Sequence, residues 1–198
     1  MQLLSVVSTK THGDAGTFEI DLPESGAVGI ECRTGGPTND YTIVFTFMNN
    51  VSVQGASVTA GTGSVSSFNV AGNQVTVDLT GVTNVQTIVV TLATLSDGIN
   101  TSDVQATMGV LVGDVNGSGR VDAADVSLVR QQSLEPLTTS NFREDINASG
   151  RIDAADVSVA RQQTLTSLQS PSGESPVAPE SEGYGRTTPK VLDAPKPN

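Results

Sequence analysis

The chain has 198 residues, of which 21 are acidic and 10 basic, and its formal net charge is −11. A chain this acidic lacks the basic surface that nucleic-acid partners require. It contains one cysteine, Cys32, and one histidine, His12, which excludes an intrachain disulfide, a cysteine-based metal site and a histidine-rich zinc site. The length allows one sizeable domain or two small ones, and no apolar run approaches the roughly 20 residues of a membrane span.

Residues 1–112 carry the pattern of an antiparallel, Ig-like β-sandwich of about seven strands. Segments rich in Val, Ile, Thr and Phe are separated by turns rich in Gly, Pro and Asn, and several segments alternate apolar and polar residues. No helical periodicity interrupts them. Strands are predicted at TFEIDL (17–22), YTIVFTF (41–47), VSVQGASVT (51–59), QVTVDL (74–79), QTIVVTL (86–92) and DVQATMGVLV (103–112).

Few side chains of this region have the chemistry of a functional site. No pair of carboxylates has a spacing that would place it across a glycosidic bond, and we predict that the chain is not an enzyme. Lys10 and His12 are interpreted as solvated loop residues, and Cys32 as a buried thiol. Phe45 and Phe47 share one face of a strand, which favours core packing over a sugar platform. A carbohydrate- or surface-binding β domain stays open as an alternative.

One segment of the chain occurs twice. Residues 114–134 return as residues 145–165, with 15 of 21 positions identical and the other six conservative. The strand predicted at 103–112 runs into the first copy without a flexible spacer. We therefore expect the two modules to lie close together.

Each copy has the spacing of a calcium-binding loop of the EF-hand type. Oxygen-bearing side chains stand at the first, third, fifth, ninth and twelfth positions, a glycine stands sixth, and the seventh residue offers its carbonyl. Ca²⁺ prefers about six to eight oxygen ligands, and a ligand set of this size suits Ca²⁺ better than Mg²⁺. Two ions are predicted, one held by Asp114, Asn116, Ser118, Arg120, Asp122 and Asp125, and one by Asp145, Asn147, Ser149, Arg151, Asp153 and Asp156.

The remainder of each copy predicts a short helix with one buried face. Val126 and Val129 stand three residues apart, as do Val157 and Ala160, and both pairs are expected to pack in a shared core.

The sequence before each loop differs from that of a full EF-hand. A strand precedes the first loop, and only one short turn, capped by Asn141 and Glu144, is expected before the second. The apolar eighth positions, Val121 and Ile152, are expected to meet in a short β-bridge.

Two calcium loops that are each followed by a helix, without the entering helices, resemble the dockerin type I family. The resemblance covers residues 113–168 and implies a near-twofold pair of loop–helix (F-hand) units. In cellulose-degrading assemblies, dockerins bind cohesin modules on scaffold proteins through one helix face at a time. The resemblance implies a cohesin-like partner, a role in polysaccharide degradation, and a location outside a bacterial cell or on its surface, as part of a longer exported protein.

The duplicated helix faces are the predicted docking surface. The resemblance places the contacts at Ala123, Ala124, Arg130 and Gln131 and at Ala154, Ala155, Arg161 and Gln162. Well-known dockerins often carry Ser-Thr where this chain has the two Ala pairs. The sequence Arg-Gln-Gln ends both helices, and helix surfaces bind no calcium, so this identity indicates one partner that can be met from either side.

The chain is expected to have three parts: a β-sandwich at 1–112, a dockerin-like module at 113–168, and a disordered tail rich in Pro and Ser at 169–198. The predicted function is that of a monomeric, non-catalytic attachment module. The structural alternative is a calcium-stabilised stalk, or a clamp of the module against its own β domain, that involves no cohesin.

Overall fold

Two β-sheets packed face to face make up most of the computed structural model, which describes residues 1–168. The tail predicted to be disordered lies outside the described residues. One sheet has the strand order β2-β1-β4-β7-β6 and the other the order β3-β9-β8-β5. The strands are β1 (Leu3–Thr11), β2 (Thr17–Asp21), β3 (Gly29–Glu31), β4 (Tyr41–Phe47), β5 (Gly55–Ala60), β6 (Ser64–Ala71), β7 (Gln74–Thr80), β8 (Gln86–Ser96) and β9 (Thr101–Val110).

Three of these strands were not predicted from the sequence. Strand β1 carries polar and charged residues in its second half, β3 has only three residues, and β6 is a serine-rich edge strand whose residues are mostly exposed. In addition, β3 pairs with β9 in parallel, so the prediction of a wholly antiparallel sandwich is wrong for this pair. The chain crosses from one sheet to the other between β2 and β3. Strands β3 and β9 are therefore not joined by a hairpin and can run in the same direction. The Ig-like topology stays a prediction.

The hydrophobic core fills the space between the two sheets. In β4, Tyr41, Ile43, Phe45 and Phe47 are buried and the residues between them are only half-buried, which is the period-two pattern of a strand with one face on a core. Phe45 and Phe47 are therefore core residues, as predicted. Truncating a buried Phe to Ala typically costs about 3–5 kcal/mol.

The chain passes from the sandwich to the repeats without a spacer, as expected. The amide of Leu111 donates to the carbonyl of Glu31 at 3.0 Å, and the amide of Gly113 donates to that of Cys32 at 2.9 Å. These bonds continue the β3–β9 pairing past the end of both strands. The first repeat is thereby attached to the sandwich by its backbone.

Two helices and one short turn follow: α1 (Ala123–Gln132), a 3-10 turn (Phe142–Glu144) and α2 (Ala154–Gln162). The helices pack on each other, and Val129 and Ala160 are fully buried in a second core between them, with Val126 and Val157 beside them. The shared core is as predicted. No helix within residues 1–168 is long and apolar enough to cross a membrane.

The predicted cap of the short turn is absent. Asn141 precedes the turn, but its side-chain oxygen accepts from the amide of Thr138 at 2.7 Å instead of from the turn. Glu144 is buried, and burial raises its pKa.

The predicted bridge between Val121 and Ile152 is also absent. Each eighth-position carbonyl instead accepts from a leucine two or three residues past the other unit's helix: the amide of Leu134 donates to Ile152 at 2.9 Å, and that of Leu165 donates to Val121 at 2.9 Å. We call these two bonds the reciprocal clasp. They link the two units in a near-twofold way because each unit supplies one donor and one acceptor.

Candidate metal-binding loops

In the first loop, the oxygens of Asp114, Asn116 and Arg120 all lie within hydrogen-bonding distance of Ser118. Asp114 Oδ1 accepts from the amide of Ser118 at 2.9 Å, and that amide also lies 2.9 Å from Asn116 Oδ1. The hydroxyl of Ser118 donates to the carbonyl of Arg120 at 3.0 Å and lies 3.4 Å from Asp114 Oδ1. The oxygens at the first, third, fifth and seventh positions therefore converge. The amide of Gly119 donates to the other oxygen of Asp114 at 2.8 Å.

The second loop repeats this geometry closely. The matching distances among Asp145, Asn147, Ser149, Gly150 and the carbonyl of Arg151 are 3.0, 2.9, 3.1, 3.4 and 2.8 Å. None differs from its counterpart in the first loop by more than 0.1 Å. The two loops thus present the same arrangement of oxygens.

The twelfth-position carboxylates lie inside their loops. Asp125 and Asp156 are fully buried. Asp125 accepts from the amides of Asn116 at 3.2 Å and Asp122 at 2.9 Å, and Asp156 repeats both bonds in the second loop. An aspartate at this position therefore accepts bonds from both the third and the ninth positions of its loop.

The ninth-position carboxylates start the helices. Asp122 accepts from the amide of Ala124 at 2.8 Å, and Asp153 accepts from that of Ala155 at 2.7 Å. Each is the N-cap of its helix and forms a capping box with the aspartate three residues on. One oxygen of each ninth-position side chain is thus already used, which fits the water-mediated contact that this position often makes in EF-hands.

Each loop buries two carboxylates that are close enough for their charges to interact. Asp114 and Asp125, like Asp145 and Asp156, have no solvent exposure. Burial raises the pKa of Asp114, and the charge of Asp125 raises it further, against the opposing effect of two loop amides. Burial also raises the pKa of Asp156, with the charges of Asp145 and Asp153 adding to it. Paired buried carboxylates favour a bound cation, because a cation offsets both their desolvation and their repulsion.

The ligand set mixes several kinds of oxygen. Within residues 1–168, no group of three or more His, Cys, Asp or Glu side chains stands close enough to hold a metal ion by itself. The loops instead combine carboxylates with amide, hydroxyl and main-chain oxygens, all of them hard ligands that suit Ca²⁺.

The positions predicted to contact a partner are all exposed. They are Ala123, Ala124, Arg130, Gln131, Ala154, Ala155, Arg161 and Gln162. The glutamines that follow them have internal roles instead. Gln132 accepts from Asn141 at 3.2 Å, and Gln163 accepts from Asn84 of the β-sandwich at 2.9 Å. The occurrence of glutamine at both of these positions is therefore no evidence for an exposed binding face.

Sequence reasoning missed two residues of this surface. Leu134 and Leu165 are 89% and 95% exposed, although both are large and apolar. Each has φ of +73°, and the amide of each donates one of the two bonds of the reciprocal clasp. An apolar residue at the same place in both copies, just after a polar helix end, was the available signal.

The structure also corrects the interpretation of two residues in the sandwich. His12 is fully buried, and Lys10 lies in β1 with its ammonium 5.1 Å from the centre of the Tyr41 ring. Neither is a solvated loop residue. Cys32 is fully buried, as predicted, and burial raises the pKa of its thiol to about 12.

Aromatic side chains of the sandwich give no support to a sugar-binding platform. Tyr41, Phe45 and Phe47 lie in the core, and Phe18 stacks on Phe142 at a centroid distance of 5.2 Å. Phe68, at 38% exposure, is the one aromatic residue of the described sandwich that reaches solvent to a large extent.

These features define a duplicated loop–helix module, with the spacing of calcium-binding loops, that is joined to a β-sandwich. The family model of the dockerin type I domain matches residues 112–165, roughly a quarter of the chain. The resemblance predicted from the repeats is therefore confirmed for this segment. In that family the domain is a non-catalytic docking module. Searches among curated proteins and among solved structures gave no significant match.

Proposed function

We propose that residues 113–168 bind two Ca²⁺ ions and that the calcium-loaded module attaches the chain to a cohesin-like partner. The observation that carries the proposal is the convergence of matching oxygens around a buried carboxylate pair in both loops. The first, third and fifth side chains, the seventh carbonyl and the twelfth carboxylate would hold each ion directly, and the ninth carboxylate would act through water.

The role of calcium in this module is structural. Binding in a loop holds the carboxylates together, fixes the start of the following helix and positions its exposed face. At free calcium a thousandfold above Kd, each site stabilises the folded state by about 4 kcal/mol. For a module of this size such a contribution is comparable to the expected stability of the whole module.

Calorimetry tests the calcium claim. We expect two ions per chain for the full protein, one for Asp114→Ala, one for Asp145→Ala and none for the double variant. Asp103→Ala, which removes a carboxylate of the sandwich, is the matched control and should leave the stoichiometry at two. A value near zero for the unaltered protein, or one that the double variant does not change, would sink the proposal.

The proposed docking surface consists of two equivalent faces. Each face combines the Ala pair at the start of a helix and the Arg-Gln pair at its end with the exposed leucine of the other unit, since Leu134 lies beside Ala154 and Arg161. Arginine is enriched among the residues that dominate interface energies, and the leucine beside it offers apolar area that a partner could bury. Since the two faces share these residues, one partner surface could fit either.

The leucines allow the docking proposal to be tested without damage to the fold. Leu134→Gly and Leu165→Gly remove exposed side chains at positive φ, where glycine is the least strained residue, so stability should not fall. Binding to immobilised cohesin modules in calcium should persist in each single variant and weaken roughly 30-fold or more in the double variant. EGTA should abolish it. No binding to any cohesin, or full binding by the double variant, would contradict the proposal.

A second candidate function rests on the contact between the module and the sandwich. Residues of the two parts share hydrogen bonds and a stacked aromatic pair. Calcium would then lock one part against the other, as in a stalk, with no partner involved. This role predicts a large calcium-dependent rise in Tm together with no cohesin binding.

We further propose that the whole chain is non-catalytic, monomeric and exported from a bacterium, where a dockerin would deliver it to polysaccharide-degrading assemblies. The β-sandwich at 1–112 would serve as the body to which the docking module is fixed.

A further inference from the structure

The one histidine of the chain lies against the second loop. His12 directly follows β1, and its Nδ1 is 2.9 Å from Oδ2 of Asp145, the first ligand position of that loop. Both side chains have no solvent exposure. A residue of the β-sandwich thus contacts a proposed calcium ligand directly.

Arg33 sets the orientation of the His12 ring. Its guanidinium lies 3.2 Å from Nε2 of His12. An arginine can only donate hydrogen bonds, so Nε2 accepts and the ring proton is on Nδ1, where it is donated to Asp145. Glu31 fixes Arg33 in turn by accepting two bonds, at 2.8 and 2.7 Å. Ser8 donates to Glu31 as well.

Backbone packing joins the same two elements. A Cβ added to Gly13 would collide with the carbonyl oxygen of Ser149, and one added to Gly150 would lie 2.9 Å from the carbonyl oxygen of His12. The short 3-10 turn that follows β1 (Gly13–Ala15) therefore packs tightly against the fifth and sixth positions of the second loop.

The first loop has no such neighbour among the described residues. The carboxylate of Asp114 is bound by the amides of Ser118 and Gly119 within its own loop, and a Cβ on Gly119 would meet open space. Arg143 reaches this loop, but it donates to the main-chain oxygens of Asp114 and Val115, at 3.0 and 2.7 Å. The two loops thus have the same ligands and different surroundings.

We infer that the β-sandwich completes the second calcium site, with His12 as the positioning residue of Asp145. The inference rests on the calcium binding proposed above. His12 holds one carboxylate oxygen of Asp145, Oδ2, and leaves the other, Oδ1, directed into the loop. Oδ1 lies 3.4 Å from the hydroxyl of Ser149. Loss of such an outer partner typically lowers metal affinity about 10–100-fold. The two sites are therefore unequal in spite of their sequence identity.

Calcium titrations of the full chain test this inference. His12→Leu keeps an apolar side chain of moderate size and removes the donor, and we expect it to weaken the second site about 10–100-fold while the first is unchanged. His12→Asn, which can place a donor where Nδ1 stands, should restore most of the affinity. Each substitution is repeated with Asp114→Ala, so that only the second site is observed. Thr11→Val, an exposed neighbouring substitution, is the matched control.

A second measurement does not depend on the folding of a variant. In the unaltered protein labelled with ¹⁵N, the Nδ1 resonance of His12 should shift as calcium fills the second site. The shift should persist in Asp114→Ala and vanish in Asp145→Ala. A resonance that ignores calcium, or an unchanged second site in His12→Leu, would overturn the inference while leaving calcium binding intact. Absence of calcium binding in the unaltered protein would instead refute the proposed function.

Discussion

Arg33 has no solvent exposure, although arginine is among the residues least often found inside a protein. Five hydrogen-bond contacts of its side chain satisfy it, to Glu31 twice, His12, Phe18 and Ser8. Burial alone would raise the pKa of Glu31, but the hydrogen bonds and the charge of Arg33 outweigh it, and the pKa lies below its ordinary value. The ion pair is thus intact at neutral pH.

None of these contacts could be predicted from the sequence. Glu31 and Arg33 stand two residues apart in a stretch without strong periodicity, and the pattern near His12 is that of a turn. The burial of all three depends on which strands pair and on where the second repeat packs. Such long-range contacts leave no local signal, whereas the spacing of the calcium loops is local and was readable.

Cys32 gives a prediction at the same scale. Its thiol is buried at the contact between the two parts and donates to the carbonyl of Arg143 at 3.6 Å. With a pKa raised to about 12 by burial, almost no thiolate exists at pH 8, and thiolate is the reactive form. We expect Ellman's reagent to leave the native protein unlabelled at pH 8 with calcium present, and to label one thiol in denaturant.

EGTA sharpens this measurement. If calcium holds the second loop against the sandwich, its removal should speed labelling of Cys32 in otherwise native buffer. Cys32→Ser provides the zero-signal control. Rapid labelling of the calcium-loaded native protein would show that the thiol is accessible and that the contact is open.

At the scale of elements, prediction succeeded where one element carries its own signal. Strands β4, β7 and β8 alternate apolar and polar residues or carry long apolar runs, and each helix has two apolar residues three positions apart, so all of these elements were predicted. Strands β1, β3 and β6 were missed because their residues are polar or few. They become strands through pairing with stronger neighbours.

The reciprocal clasp shows the limit of reading each repeat separately. Val121 and Ile152 were expected to pair because both are apolar and stand at the same loop position. Each pairs instead with the residue after the opposite helix, since the near-twofold arrangement places that helix end beside the loop. A left-handed leucine costs about 1–2 kcal/mol. Leu134 and Leu165 both have this conformation, so each bond of the clasp offsets the conformational free energy of one leucine.

At the scale of the whole molecule, the two parts behave as partners in one structure. The backbone continues from β9 into the first loop, Arg143 donates to Ile30 of β3 at 3.1 Å, and Phe18 stacks on Phe142. Asn84 joins the sandwich to the end of α2. The module contacts the sandwich at both loops and at the end of α2. Unfolding of the module would therefore expose buried groups of the sandwich.

Calcium should therefore stabilise the sandwich, although no proposed ligand lies within it. We expect thermal unfolding in calcium to give a single transition, seen equally by helix circular dichroism at 222 nm and by Tyr41 fluorescence. In EGTA the helix signal should disappear at a lower temperature than the tyrosine signal. A Tyr184→Phe background removes the second tyrosine from the measurement.

Variants of the two loops show which contact transmits the stabilisation from bound calcium to the sandwich. The calcium-dependent rise in the Tyr41 transition should fall more in Asp145→Ala than in Asp114→Ala, because Asp145 alone of the two receives a bond from the sandwich through its side chain. Equal losses would mean that the backbone junction at Gly113 transmits the effect. In that case stabilisation of the sandwich would depend on total calcium occupancy and not on the contact made by His12.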